Sequence, residues 1–200
     1  MSAEHNSNGL NWYYEELMRE PPSESLLKAF QFARPSGYAL DFGCGPGRDT
    51  KAILERSYDV DALDGNPEVS AYLRRLPHQE HLRIIISSSD QFTYSRNHYA
   101  LINAQRVLSL LKPAQFNYAF PRLKDALADS GILVADIWGD RATDINGNVL
   151  HFPAQGETLN LFSDMDVLDV SESVKTFVPH NKELPVTDHS FKIIARKKSK

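Results

Sequence analysis

The segment Asp41-Phe42-Gly43-Cys44-Gly45-Pro46-Gly47-Arg48 joins a carboxylate to glycines at alternate positions. Glycine lets a backbone bend sharply and approach a ligand with no Cβ in the way. The apolar run Tyr38–Phe42 ahead of it reads as a strand and Arg48–Arg56 behind it as a helix, the setting of a nucleotide-binding turn. A dinucleotide fingerprint, G-x-G-x-x-G, requires glycine at position 48, where Arg48 stands. Asp41 at the mouth of the loop would repel a phosphate and attract an ammonium, and Pro46 removes a backbone N–H that a phosphate would use. A second carboxylate, Asp64, ends the next apolar run, where an acidic side chain can accept hydrogen bonds from both hydroxyls of a ribose. Alone, Asp64 is equally well explained as the turn residue of Leu63-Asp64-Gly65-Asn66-Pro67. Beside the glycine loop it reads as an adenosine ligand.

S-adenosylmethionine (SAM) meets these requirements: it has an adenosine, an amine and a sulfonium, and no phosphate. An NAD-linked oxidoreductase is disfavoured by Asp41, Pro46 and Arg48. Cys44, the one cysteine, reads as a small buried filler rather than a nucleophile, and by itself it excludes an internal disulfide framework or a cysteine-based zinc cluster. The seven histidines show no metal-ligand spacing, so no metal is expected.

The elements that must position these residues follow from periodicity. Strand-length apolar runs occur at Tyr38–Phe42, Asp59–Leu63, Leu82–Ile86, Tyr99–Asn103 and Gly131–Trp138, alternating with helix-like stretches at Arg48–Arg56, Pro67–Arg75 and Pro113–Asp129. Two further helices are expected around Trp12–Met18 and Ser23–Phe32, with Ser23 as N-cap. Alternation of this kind gives an α/β fold with a parallel sheet and helices on both faces. Asp166–Lys197 changes character and reads as an antiparallel hairpin added at one edge, while residues 139–160 read as a long loop. The chain divides into residues 1–9 as a flexible N-terminus, a single domain over 10–197 whose segment 10–34 covers the cofactor site, and a basic tail at 198–200.

The chain has 200 residues, 42% of them hydrophobic, and a net charge of −4, enough for one real core and no general attraction to nucleic acid or anionic membranes. No apolar run has the length of a membrane span and the first nine residues lack a signal-peptide pattern, so a cytoplasmic protein is expected.

Asp41-x-Gly43-x-Gly45-x-Gly47 with Asp64 after the second strand resembles the signature of class I SAM-dependent methyltransferases. "ALDFGCGPGRDTKAILERSYDVDALDGNPEV" resembles more closely the small bacterial methyltransferases of the tellurite-resistance and general methyltransferase-domain type. The likeness continues weakly through "HYALINAQRVLSLL", "LKDALADSGILVADIWG" and "HSFKIIARK". It implies a Rossmann-like, seven-stranded, mostly parallel sheet of order 3-2-1-4-5-7-6, with strand 7 antiparallel. It further implies that Asp41, Gly43, Cys44 and Gly45 line the methionine part of SAM. Asp64, Gly65 and Asn66 should face the ribose and adenine edge, and Ser89, Asp90 and Gln91 the adenine amino group, the family's acidic position falling on Asp90 or on Ser89. Ala104, Gln105 and Arg106 should flank the sulfonium. Arg106 departs from the family, and a cation beside a sulfonium is unfavourable, so it should turn toward substrate or solvent.

The acceptor should bind beyond the carboxyl ends of the strands, which makes Asp136 and Trp138 the candidate catalytic residues. Trp12, Tyr13 and Tyr14 form an aromatic group that either closes over the cofactor or packs as an ordinary amphipathic helix. His151, His180 and His189 lie in late segments within reach of the rim. The base-flipping Asn/Asp/Ser-Pro-Pro-Tyr motif is absent, so the expected acceptor is a small molecule, with neither nucleic acid nor membrane as partner. The competing reading is an inactive SAM-binding regulatory module.

Overall fold

A computed structural model describes residues 4–143, 154–178 and 184–199, with side chains from Trp12 onward. Among these residues seven strands form one sheet of order β3-β2-β1-β4-β5-β7-β6. The strands are β1 (Gly37–Phe42), β2 (Tyr58–Asp64), β3 (Leu82–Ile86), β4 (Tyr99–Ala104), β5 (Leu127–Trp138), β6 (Met165–Phe177) and β7 (Val186–Lys197). The first five pair in parallel, and β7 runs antiparallel between β5 and β6. The helices are α1 (Glu4–Arg19), α2 (Glu24–Ala29), α3 (Arg48–Leu54), α4 (Ser70–Leu73), α5 (Pro113–Ala126) and α6 (Gln155–Asn160). No helix among the described residues is long and apolar enough to cross a membrane.

Period-two alternation explains why both faces are covered. Leu40 and Phe42 of β1, Ile102 and Ala104 of β4, and Leu133, Ala135 and Ile137 of β5 meet α5 through Ala119, Phe120 and Leu123. The intervening Ala39, Leu101, Ile132 and Val134 pack with Leu26 and Ala29 of α2, Ala52 and Ile53 of α3 and Leu73 of α4. Each fully buried Leu, Ile or Phe contributes roughly 1.5–3 kcal/mol, so the central strands anchor the domain.

Several boundaries differ from expectation. Helix α1 starts at Glu4, upstream of Trp12. Helix α5 stops at Ala126 because Leu127 takes an extended backbone (ψ 135°) and already pairs with Tyr99. Ser130 then turns left-handed (φ 61°), and a Cβ on Gly131 would lie 2.8 Å from two carbonyl oxygens, so β5 enters the sheet through an irregular step. The expected helix over Pro67–Arg75 is a 3-10 turn at Pro67–Val69 followed by the single turn of α4. Ser23 occupies the N-cap of α2, but its hydroxyl caps nothing; its backbone N–H donates to Asp49 Oδ1 at 2.9 Å. The expected loop 139–160 contains α6, while residues 144–153 fall outside the described residues.

One polar cluster inside the sheet ties three strands together. Asp61 of β2 accepts from Arg83 Nε of β3 at 2.7 Å and from the Tyr99 hydroxyl of β4 at 2.7 Å. Removing the carboxylate strands the Tyr99 hydroxyl, which is 1% exposed as a residue. Asp61→Ala is therefore expected to destabilise the fold by roughly 1–3 kcal/mol, read as a lower urea midpoint with an unchanged slope.

Candidate functional site

The loop between β1 and α3 is sewn to the end of β2. Gly43 N–H and Cys44 N–H both donate to the Leu63 carbonyl, at 2.8 and 3.0 Å. Gly45 N–H donates to Asp64 Oδ2 at 2.9 Å, and Asn66 N–H to Asp64 Oδ1 at 2.8 Å. The glycines are needed for two separate reasons. Gly43 lies at φ 74°, and a Cβ there would sit 2.4 Å from Val107 Cγ2. Gly47 lies at φ 96° over α4 and the turn after it, where a Cβ would meet Leu73 Cδ2 at 2.7 Å and Leu76 Cδ1 at 2.8 Å. The loop thus has both left-handed backbone and close packing.

Asp41 is not at the mouth of the loop, as the sequence suggested, but beneath it, 2% exposed. Its carboxylate accepts from Thr50 Oγ1 at 2.6 Å and from Asn103 Nδ2 at 2.9 Å. Asn103 stands opposite it in register on β4 and reaches Asp49 Oδ2 at 3.4 Å as well. Burial, then the neighbouring Asp49, push the Asp41 carboxyl up to about 7, against the two hydrogen bonds that favour its ionised form. Asp49 is itself gripped by Arg48, whose other amine reaches Glu20 at the end of α1. Burial, followed by Asp41 and Asp64, raises the Cys44 thiol well above its ordinary value, which keeps it protonated and inert.

Above this floor lies a cavity of about 430 Å³. Asp41, Gly43, Cys44, Gly45, Asp64, Gly65, Ser89, Gln105 and Arg106 all line it. Asn66, Asp90, Gln91 and Ala104 do not. The Asn66 side chain instead donates to the Tyr14 hydroxyl at 3.0 Å, Asp90 is fully exposed and accepts from Gln115 Nε2 at 3.4 Å, and Ala104 is core. Of the segment Ser89–Gln91, Ser89 is the member turned inward. Tyr13, Tyr14 and Leu17 of α1 form one wall, whereas Trp12 is 66% exposed and outside it.

Asp136 and Trp138 are not part of the cavity lining. Asp136 is 4% exposed at the end of β5, and burial raises its carboxyl to about 6 against the opposing charges of Lys192 and Arg106. The backbone N–H of Trp138 donates to Ser109 Oγ at 2.8 Å. His189 is fully buried away from the cavity: its Nδ1 accepts from Arg141 N–H at 3.0 Å and its Nε2 faces Glu172 at 3.0 Å, a packing role. His151 and His180 lie outside the described residues. No group of three or more His, Cys, Asp or Glu suited to a metal occurs among the described residues.

The sequence reading missed Asn103 as a site residue. Its signal was a lone amide in Tyr99-Ala100-Leu101-Ile102-Asn103-Ala104, a strand buried at every position. Three of the residues that line the cavity hold a buried polar atom with no protein partner: Ser89 Oγ, Asn103 Oδ1 and Gln105 Nε2. Buried polar atoms are nearly always paired, so this set calls for a polar ligand. An adenosine bearing an aminocarboxylate has donors and acceptors that fit those present.

Residues 39–131 match the family model of the methyltransferase domain. That match takes in the glycine loop, Asp64 and Asn103, and over it the chain is similar to a methyltransferase domain. The cofactor of such a domain is SAM. Solved structures with the same fold include TehB from Haemophilus influenzae (21% identity, TM-score 0.71), which covers 88% of this chain while the chain spans 62% of that protein. A TehB-like SAM-dependent methyltransferase from Corynebacterium glutamicum covers 99% of this chain and 100% of its own (18%, 0.67). A Burkholderia thailandensis 1,6-didemethyltoxoflavin-N1-methyltransferase, with that compound and S-adenosylhomocysteine bound, covers 100% and 92% (18%, 0.67). No curated protein matches the sequence.

The Asp41 carboxyl makes methyltransferase cofactor binding pH-dependent in a predictable direction. Without ligand it holds a proton up to about pH 7, and this contributes stability that is full below about pH 4 and lost as pH rises through 7. A cationic amine bound above Asp41 would favour the ionised form, and binding would then release a proton. Affinity for S-adenosylhomocysteine should rise as pH increases from 6 to 8, by at most about tenfold per unit below the shifted value. Calorimetry in buffers of different ionisation heat should count that proton, and Asp41→Asn should abolish it.

Proposed function

We propose that this chain transfers a methyl group from SAM to a small-molecule acceptor. The observation that carries the reading is the set of unpartnered Ser89 Oγ, Asn103 Oδ1 and Gln105 Nε2 around one cavity, below an acidic glycine loop. Asp64 takes the ribose hydroxyls, Ser89 the adenine edge, and Asn103 with Asp41 the amine. SAM supplies an electrophilic methyl on a sulfonium, already a good leaving group, so the protein's tasks are alignment and exclusion of water. The wall formed by Tyr13, Tyr14 and Leu17 serves the second task; Tyr14 is fixed by Asn66 and by edge contact with Tyr72 at 5.5 Å. Asp136 and Trp138, at the end of β5, order the acceptor side. A cavity of about 430 Å³ that must also hold the cofactor leaves room for a small acceptor, and a net charge of −4 gives nucleic acid no electrostatic footing.

S-adenosylhomocysteine should bind with one-to-one stoichiometry, measured by calorimetry. Asp64→Ala should weaken it roughly 10- to 100-fold, the loss of charge-assisted bonds worth ~1.5–3 kcal/mol. Unchanged affinity in a folded Asp64→Ala protein would remove the ribose assignment. Turnover, followed as S-adenosylhomocysteine production, should survive EDTA; loss of activity on chelation would require a metal that this reading omits.

A further inference from the structure

The polar residues on the cofactor's side of the sheet continue beyond the cofactor. Ile132 and Val134 of β5 and Ile194 of β7 share a core with Ala39 of β1 and Leu101 of β4. Alternation therefore projects Asp136 and Lys192 from the same face as Asp41 and Asn103. Asp136 and Lys192 are paired across β5 and β7, and Gln105 and Asp136 each follow the paired residues Ala104 and Ala135. The unpartnered Gln105 Nε2 and Asp136 Oδ1 are thus a donor and an acceptor at neighbouring strand ends, both buried. Asp136 as a whole is 4% exposed.

The groups facing Asp136 are the ammonium of Lys192, the guanidinium of Arg106, the carboxylate of Asp188 and the hydroxyl of Ser190. Arg106 also lines the cavity. Its side chain is 53% exposed, its ion pair with Asp188 spans 3.8 Å, and its backbone is held at φ 54°, a region that a residue with a Cβ rarely adopts. Such strain persists where the surrounding structure enforces it, and Arg106 both lines the cavity and reaches Asp188.

We propose that Gln105 and Asp136 hold the nucleophilic O–H or S–H of the acceptor, that Asp136 accepts its proton, and that Arg106 binds a carboxylate on the same molecule. The substrate class is then a small hydroxy- or mercapto-carboxylate. The inference rests on the methyl-transfer reading above. In the step, the acceptor's oxygen or sulfur forms a bond to the methyl carbon, and the C–S bond breaks with its electron pair remaining on sulfur. The acceptor's proton passes to Asp136 Oδ1. Neutral hydroxyls and thiols are weak nucleophiles and gain from a base in a way that a free amine does not. The charges balance as well. With Asp136 ionised, Arg106 and Lys192 are matched by Asp136 and Asp188, and the acceptor's carboxylate by the sulfonium; after transfer the sulfur and Asp136 are both neutral, and the positive charge left over matches the acceptor's carboxylate. Burial places the Asp136 carboxyl at about 6, a useful basicity near neutral pH.

The test compares matched probes, para-hydroxybenzoate against para-cresol and mercaptoacetate against mercaptoethanol, by S-adenosylhomocysteine production. The carboxylate member of at least one pair should have the higher kcat/KM, by about tenfold or more, and Arg106→Gln should erase that preference. For the preferred probe, kcat should rise with pH through about 6. Asp136→Asn should lower kcat about 100-fold or more and flatten that limb, with S-adenosylhomocysteine affinity within about twofold of wild type as the check on folding. Preference for the neutral members, no turnover of any probe by a protein that binds S-adenosylhomocysteine, or a wild-type pH profile in Asp136→Asn would each overturn the proposal. Failure of the wild-type protein to bind S-adenosylhomocysteine would instead overturn the methyl-transfer reading itself.

Discussion

The site depends on a carboxylate kept out of water. Asp41 is enclosed by β1, β4 and α3, and two neutral donors, Thr50 and Asn103, satisfy it. A buried charge without partners is costly enough that the group neutralises instead, which is why this carboxyl sits near neutrality. The arrangement has structural consequences beyond the acid. It fixes the start of α3 against the sheet. It orients the Asn103 amide with its nitrogen toward the carboxylates and leaves its oxygen without a protein partner. It also lets the glycine loop pass over an acid that can gain or lose a proton as a cation arrives.

The second constraint is steric. Gly43 and Gly47 are pressed by Val107, Leu73 and Leu76, side chains from three different segments. The loop's path is therefore compatible only with glycine where Val107, Leu73 and Leu76 press on it. Its geometry belongs to the whole domain rather than to the eight residues that spell it.

Much of this was legible in the residues. Strand β3 falls at Leu82–Ile86 as the apolar run dictates, and the sheet order matches the one implied by the family likeness. Local patterns carried less information where tertiary contacts take over. The helical periodicity of α5 runs past Ala126, yet Leu127 is claimed by pairing with Tyr99. Asp41 was recognisable as a cofactor-site acid, but its depth under the loop depends on Asn103, sixty-two residues away in the chain. Unpartnered atoms such as Gln105 Nε2 have no sequence signature, since pairing is a property of the packed state.

The place of β7 has a consequence for how the chain reaches its fold. It is last in chain order among the strands, yet it lies between β5 and β6. Ile193 and Ala195 complete one core, and Ile194 completes the other. A nascent chain that has already formed the parallel half keeps one flank of β5 open, with its hydrogen-bonding groups and apolar side chains unsealed, until β7 inserts. Pairings between segments far apart in sequence form slowly, because chain entropy is lost before contacts form. During that interval the open flank of β5 is an unpaired strand edge, a template for another strand or another chain. Sealing that edge is a task that falls to the last of the seven strands in chain order.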